Sequence, residues 1–290
     1  MADFFVTNLS DTGAGSLRAA IAGVNAEAPG SENAISFSVA GTITLASDLP
    51  AIASMVAIVA GDSTTGSAPT IGIDFNGNGG LVFAAGADGS QLMGLALGNA
   101  TGNGVTLEAG GILLNNNYIG LALDGTAAGN TGDGVFVAAS SSGNQIGFNP
   151  EAATLAADGQ PASGVVSNVI SANGGNGITL EGSDDNTIVS NRIGTSTDGN
   201  TALANGGNGI HLRGGADGNT IGGTVTGNDA SGNPNNPTGN EGDASAIVVV
   251  APPLGNLVSG NAGDGIRIDS NSTGNTLSGN YVGTATSGIS

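Results

Sequence analysis

The sequence predicts an all-β fold: a right-handed parallel β-helix with three short strands per coil, about 8–10 coils, and an N-terminal cap including a short helix. Three observations predict it. First, Gly-x-Gly-φ-x-φ (φ aliphatic) recurs five times, with second glycines at Gly104, Gly134, Gly177, Gly209 and Gly265. Second, two asparagine-led motifs sit between the copies. One is Asn144-Gln145-Ile146, Asn186-Thr187-Ile188, Asn219-Thr220-Ile221 and Asn275-Thr276-Leu277. The other is Asn168-Val169-Ile170, Asn191-Arg192-Ile193, Asn256-Leu257-Val258 and Asn280-Tyr281-Val282, with Asn117-Tyr118-Ile119 opening the series. Third, 54 of 290 residues are glycine and 32 asparagine, while aromatics are 3%. A core of large rings is therefore out of reach, and thin stacks of Ile, Val and Leu replace it.

Each unit holds three segments that alternate apolar and polar over three or four residues, the mark of a strand with one buried face. Gly and Asn between them are read as suppliers of left-handed φ at sharp corners. Asparagines stacked at a corner are expected to hydrogen-bond from rung to rung. The columns so assigned are Asn144, Asn186, Asn219 and Asn275, and Asn168, Asn191, Asn256 and Asn280.

In chain order, residues 1–30 read as the cap. Phe4-Phe5-Val6 is a strand, and Leu17, Ile21 and Val24 form one helical face with Ser16 or Gly15 as N-cap. Such a cap covers a first rung whose bare edges invite association. Residues 31–290 read as a single solenoid domain. Ile35–Val39, Thr42–Leu45, Met55–Val59, Ile71–Ile73, Leu81–Phe83 and Leu92–Leu95 are expected strands. Uneven motif spacing places corner insertions at about 147–167 and 223–255. The second holds Pro234, Pro237, Pro252 and Pro253, with an extra strand expected at Ile247–Val250. Residues 1–100 hold only 6 asparagines, which marks a change of repeat style along the rod.

The chain resembles bacterial right-handed parallel β-helix repeat proteins of the secreted and cell-surface type. The carriers are Phe5-Val6-Thr7-Asn8, Asp11-Thr12-Gly13-Ala14-Gly15-Ser16-Leu17-Arg18-Ala19-Ala20-Ile21, Gly41-Thr42-Ile43-Thr44-Leu45 and Leu49-Pro50-Ala51-Ile52. The later Asn-Thr-Ile-Gly-Gly and Asn-Tyr-Val-Gly-Thr elements complete the likeness. The resemblance implies an extracellular or cell-surface location. The start, Met-Ala-Asp-Phe-Phe, shows no cleavable signal peptide.

Composition excludes several functions. The net charge is −19, with four cations, all arginine, so nucleic acid is not a partner. No membrane span is expected, and without cysteine there is no disulfide or thiolate chemistry. Alternation puts Thr106, Phe136, Thr179, His211 and Arg267 in one outward column. Glu108, Ala138, Glu181, Arg213 and Asp269 form the next. Glu181, Arg213 and Asp269 are expected to stack as an acid–base–acid ladder beside His211 and Arg267. That patch is read as a surface salt-bridge ladder or as a glycan-binding site. Asp124, Asp133, Asp198 and Asp264 stand in Asp-Gly corners near backbone carbonyls. They are either turn formers or ligands for Ca²⁺.

No complete catalytic set is visible. Polygalacturonase-like sites need clustered aspartates with His and Lys, but there is no lysine, and Asp184-Asp185 falls in a corner. His211, the sole histidine, is in no epimerase-like arrangement. The functional expectation is a non-catalytic extracellular structural or adhesive element. Its partners would be itself or neighbouring repeats, end to end, or surface polysaccharide. A polysaccharide-acting enzyme of lyase, glycosidase or epimerase type, or a phage tailspike-like glycan binder, is the alternative.

Overall fold

The computed structural model describes residues 2–61, 67–148, 168–223 and 255–283. It is a right-handed parallel β-helix with an N-terminal helix. The opening strand β1 (Ala2–Val6) is followed by α1 (Leu17–Ala26). Ser16 is the helix N-cap, and its hydroxyl accepts the Ala19 amide. The solenoid then winds through β2 (Asn33–Phe37), β3 (Gly41–Thr44), β4 (Val56–Val59), β5 (Ile71–Asp74) and β6 (Leu81–Phe83). The next two coils are β7 (Gln91–Met93), β8 (Leu95–Gly98) and β9 (Val105–Leu107), then β10 (Leu113–Asn115), β11 (Tyr118–Ile119) and β12 (Val135–Val137). After them come β13 (Gln145–Ile146), β14 (Val169–Ile170) and β15 (Ile178–Glu181), then β16 (Thr187–Ile188), β17 (Arg192–Ile193) and β18 (Ile210–Arg213). The last are β19 (Thr220–Gly222), β20 (Leu257–Val258) and β21 (Ile266–Ile268), then β22 (Thr276–Ser278) and β23 (Tyr281–Val282).

Strands one coil apart pair in parallel and build three sheets. Sheet A runs β1-β2-β4-β7-β10-β13-β16-β19-β22, sheet B runs from β3 to β23, and sheet C from β6 to β21. The register carries identical chemistry up the rod. In sheet C, Val135, Ile178, Ile210 and Ile266 align, as do Val137, Leu180, Leu212 and Ile268. Such inward columns form the core, and Leu180, Leu212, Ile188 and Ile221 are fully buried.

Corner glycines do take left-handed φ, as Gly102 (φ 100°) does, but the second glycines of the repeated motif have another role. Those at second positions do not adopt left-handed φ. A Cβ on Gly177 would lie 2.5 Å from Ile193 Cγ2 and 2.6 Å from the carbonyl oxygen of Gly209 on the next coil. Gly134 and Gly209 meet the equivalent atoms at similarly short distances. The motif therefore marks a seam where two backbones approach too closely for any side chain. Left-handed φ is needed elsewhere. The four short turns from sheet A to sheet B at β7–β8, β10–β11, β16–β17 and β22–β23 each pass through one such residue: Gly94 (φ 78°), Asn116 (φ 55°), Ser190 (φ 57°) and Gly279 (φ 65°). Gly94 thus divides Leu92–Leu95, expected as one strand, between β7 and β8.

Both expected insertions fall at this same A-to-B corner, between β13 and β14 and between β19 and β20. The extra strand at Ile247–Val250 and the four prolines lie outside the described residues.

The N-terminal end is sealed on several edges. β1 covers sheet A, and Leu17, Ile21 and Val24 plug the core. The Asn25 side chain donates to Ala51 O at 2.7 Å and accepts the Ala53 amide at 2.9 Å, which satisfies the backbone around Ile52 at the foot of sheet C. Arg18 clamps the helix to the first coil. Its guanidinium donates to Asp11 Oδ1 at 2.5 Å, to Ser47 O at 2.8 Å and to Asp48 O.

Steric exclusion at the seam makes a specific prediction. Gly177→Ala should destabilise the rod by about 1–3 kcal/mol, the usual cost of overpacking. Urea unfolding checks this. A variant as stable as the parent would mean that the backbones can separate at no cost.

Candidate functional site

Asparagine is the residue type whose side chains the fold uses most heavily. In sheet A's column, the Asn144 backbone amide and Nδ2 both donate to Asn186 Oδ1, at 3.0 and 2.7 Å. Asn186 does the same to Asn219 Oδ1 at 2.8 and 2.9 Å, and Asn219 to Asn275 Oδ1 at 2.8 and 3.0 Å. Sheet B has its own column. Asn117 donates to Asn168, Asn168 to Asn191, Asn191 to Asn256 and Asn256 to Asn280. Asn144, Asn168, Asn186, Asn191, Asn219 and Asn256 are buried. An amide side chain suits the place because it carries an acceptor and two donors on one planar group. The second donor usually returns to a carbonyl of the coil below, as Asn256 Nδ2 does to Ile188 O at 2.8 Å.

A third column was missed by the sequence reading. Asn130 Nδ2 donates to Asn173 Oδ1 at 2.9 Å, Asn173 Nδ2 to Asn205 Oδ1 at 2.9 Å, and Asn205 Nδ2 to Asn261 Oδ1 at 2.8 Å. These residues stand five positions before the sheet C strands, outside the Asn-x-φ pattern. A fourth, outer ladder runs with the opposite polarity through the variable residue of Gly-x-Gly. Asn103 Oδ1 accepts the Asp133 amide at 3.0 Å, and Asp133 Oδ1 accepts the Asn176 amide at 2.6 Å. Asn176 and Asn208 then accept from Asn208 and Asp264 at 2.7 and 2.8 Å. Asn and Asp interchange there because only the Oδ1 acceptor is required.

The four aspartates considered for Ca²⁺ are far from one another in function. Asp133 and Asp264 belong to the outer ladder. Asp124 Oδ1 accepts the Thr126 amide at 3.0 Å and hydroxyl at 2.6 Å. Asp198 Oδ1 accepts the Ser196 hydroxyl at 2.5 Å and the Asn200 amide at 3.0 Å. Among the described residues no three His, Asp or Glu side chains are grouped to hold a metal ion. Thr126 holds the Asp124 carboxyl below the usual carboxylate range, chiefly through its hydroxyl, and Ser196 does the same for Asp198.

The outer face of sheet C carries the cationic patch. The register aligns Thr106, Phe136, Thr179, His211 and Arg267, and sets Glu181 opposite Arg213. Arg213 Nε pairs with Glu181 Oε2. Asp269 does not extend that pair. Its Oδ1 lies 3.2 Å from Arg267 Nε on the same strand end, and its Oδ2 3.3 Å from His211 Nε2. The expected three-rung ladder is therefore two separate clusters. The His211 contact is a close approach without hydrogen-bond alignment, since its Nε2 is buried and lacks a hydrogen-bond partner. Arg267, and less strongly His211, hold the Asp269 carboxyl below its ordinary range.

A shallow cleft of about 120 Å³ lies over sheet B, lined by Thr42, Gly72, Ala96, Leu121, Leu123 and Ala128 among others. Its lining is mainly apolar, with Thr42, Asp74 and Asn99 as the polar residues, and Leu123 leans over Gly72. Asp184 Oδ1 is engaged by the Asp217 amide at 2.8 Å, a corner contact. No helix among the described residues is long and apolar enough to cross a membrane. Comparison with protein-family models and with curated proteins finds no match for this chain.

Two predictions follow from this geometry. Asn186→Ala orphans buried donors on Asn144 and should cost about 1–3 kcal/mol, whereas Asn275→Ala, at a wetter rung, should cost less. Chemical denaturation of the two variants checks the order; equal losses would contradict it. Asp124, Asp198 and Asp269 all titrate below the unfolded range of about 4. Their contribution is thus present above that range and lost as pH falls through the lower folded values. The melting temperature should be flat from about pH 7 to 5 and fall below about pH 4. A melting temperature that stays flat through this lower range would refute the assignment.

Proposed function

We propose that the chain is a non-catalytic structural or adhesive β-solenoid, working outside the cell as part of a surface fibre. The observation that carries this reading is where the polar chemistry goes. Buried asparagine amides in three columns bond one coil to the next, and the outer Asn/Asp ladder joins the backbones as well. Arg213 and Arg267 on the sheet C face each pair with a carboxylate of their own chain. What results is a stiff rod whose side chains mainly serve its own continuity. The cell-surface placement rests on the resemblance to secreted β-helix repeat proteins. An acidic surface, at −19, keeps such a rod soluble.

The competing activity is polysaccharide cleavage. Incubation with pectin, alginate and related uronans should give no new reducing ends and no rise in absorbance at 235 nm. Cleavage of any of them would overturn the proposal.

A further inference from the structure

The chain contains seven Asn-Gly dipeptides, at Asn76, Asn78, Asn103, Asn173, Asn176, Asn205 and Asn208, and all seven lie among the described residues. An asparagine side chain is most easily lost in this dipeptide, because glycine has no Cβ to hinder its own amide nitrogen. That nitrogen attacks the asparagine Cγ, and the side-chain nitrogen leaves as ammonia, carrying the amide proton. Water then opens the five-membered succinimide at either carbonyl, giving aspartate or isoaspartate. The sequence of steps needs no oxidant, reductant or metal. It needs a glycine amide released from its hydrogen bond and a backbone free to close the ring.

The fold withholds both. Each of the seven glycine amides donates a hydrogen bond. Those of Gly104, Gly177 and Gly209 donate to the carbonyl oxygens of Asp133, Asn208 and Asp264 on the next coil, each at 2.9 Å. Gly174 and Gly206 donate to Asn130 O and Asn173 O on the coil before, both at 2.7 Å. Gly77 donates to Asn99 O at 2.9 Å and Gly79 to Asp48 Oδ1 at 2.7 Å. Every acceptor belongs to a neighbouring coil, so these amides stay engaged for as long as the coils stay paired.

We propose that these dipeptides are deamidation sites held latent by coil-to-coil pairing, and that the fold sorts them by consequence. Local opening is easiest where the shield is a bond at the surface. Asn76 and Gly77 are both exposed, so Asn76 is the first site to convert. Asn173 and Asn205 are buried and are the last. Conversion at Asn103, Asn176 or Asn208 produces what the outer ladder already contains. Asp133 Oδ1 accepts the Asn176 amide just as Asn103 Oδ1 accepts that of Asp133, so an aspartate keeps the rung bond. Conversion in the inner column does not. Asn173 Nδ2 donates to Asn205 Oδ1 at 2.9 Å, and Asn205 Nδ2 to Asn261 Oδ1 at 2.8 Å. An aspartate there sets acceptor against acceptor and puts a charge in a buried site. A coil that opens and converts at Asn173 or Asn205 therefore closes poorly afterwards.

The test incubates the full chain in mildly alkaline buffer, folded and in urea, and reads amide-to-acid conversion at each site by peptide mass mapping. Every site should convert at least about 10-fold more slowly in the folded chain, with Asn76 leading. Conversion at any site as fast as in urea, or at Asn173 or Asn205 ahead of Asn76, would overturn the proposal. Two variants test the sorting. Asn176→Asp should unfold at a urea concentration close to the parent's, whereas Asn173→Asp should unfold at a clearly lower one or fail to fold. Equal midpoints for the two variants, or loss of folding in Asn176→Asp, would overturn it as well.

Discussion

Everything in this molecule depends on satisfying buried backbone and amide groups at the corners of a narrow coil. A buried amide left unpaired costs about 1–3 kcal/mol. Strand pairing satisfies the backbone along the sheets, but at each corner the chain turns away from its neighbours. Asparagine resolves this because one side chain both accepts from the coil below and donates to the coil above. The Asn144, Asn186, Asn219 and Asn275 column shows the device repeated without interruption. Removing one member leaves donors of the coil below without their acceptor, so the coils depend on one another.

The corner device also explains the graded composition. Above Asn33 and Gly41, the equivalent positions of the early coils are apolar or serine. Val56 stands at the sheet A corner and donates to the Ser90 hydroxyl at 3.0 Å, and Ile71 and Leu95 stand at the sheet B corner. There the core holds Phe75 and Phe83, both fully buried. Further along, the aromatic core residues disappear and asparagine takes over. One end relies more on hydrophobic volume and the other more on amide ladders.

Much of this was legible in the sequence, because strand alternation and motif spacing survive insertions. The sheet C columns could be written down from Gly-x-Gly-φ-x-φ alone, and the helix face from Leu17, Ile21 and Val24. What the sequence hid has physical reasons. Leu92-Met93-Gly94-Leu95 looks like one strand because apolar residues flank the corner on both sides. The Asn130, Asn173, Asn205 and Asn261 column stands two residues before the Gly-x-Gly motif in four of its five copies, a fixed spacing that could have found it but that lies outside the Asn-x-φ form of the other columns. The second glycines of that motif look like turn residues, yet they are small because the neighbouring backbone leaves no room. Asp269 was placed in register with Arg213, but the short arm of the aspartate keeps it with Arg267 and His211. Function is less legible, since surface charge and turn-forming aspartates look alike whether they bind anything or not.

The central claim is that corner asparagines, more than surface ion pairs, hold coil to coil. Native-state hydrogen exchange across the whole rod tests it most directly. The backbone amides of Asn144, Asn186 and Asn191 should exchange only with global unfolding, as slowly as the amides of the central strands. If these corner amides exchanged at loop rates while the strands stayed protected, the ladders would be ornaments on a fold held together by something else.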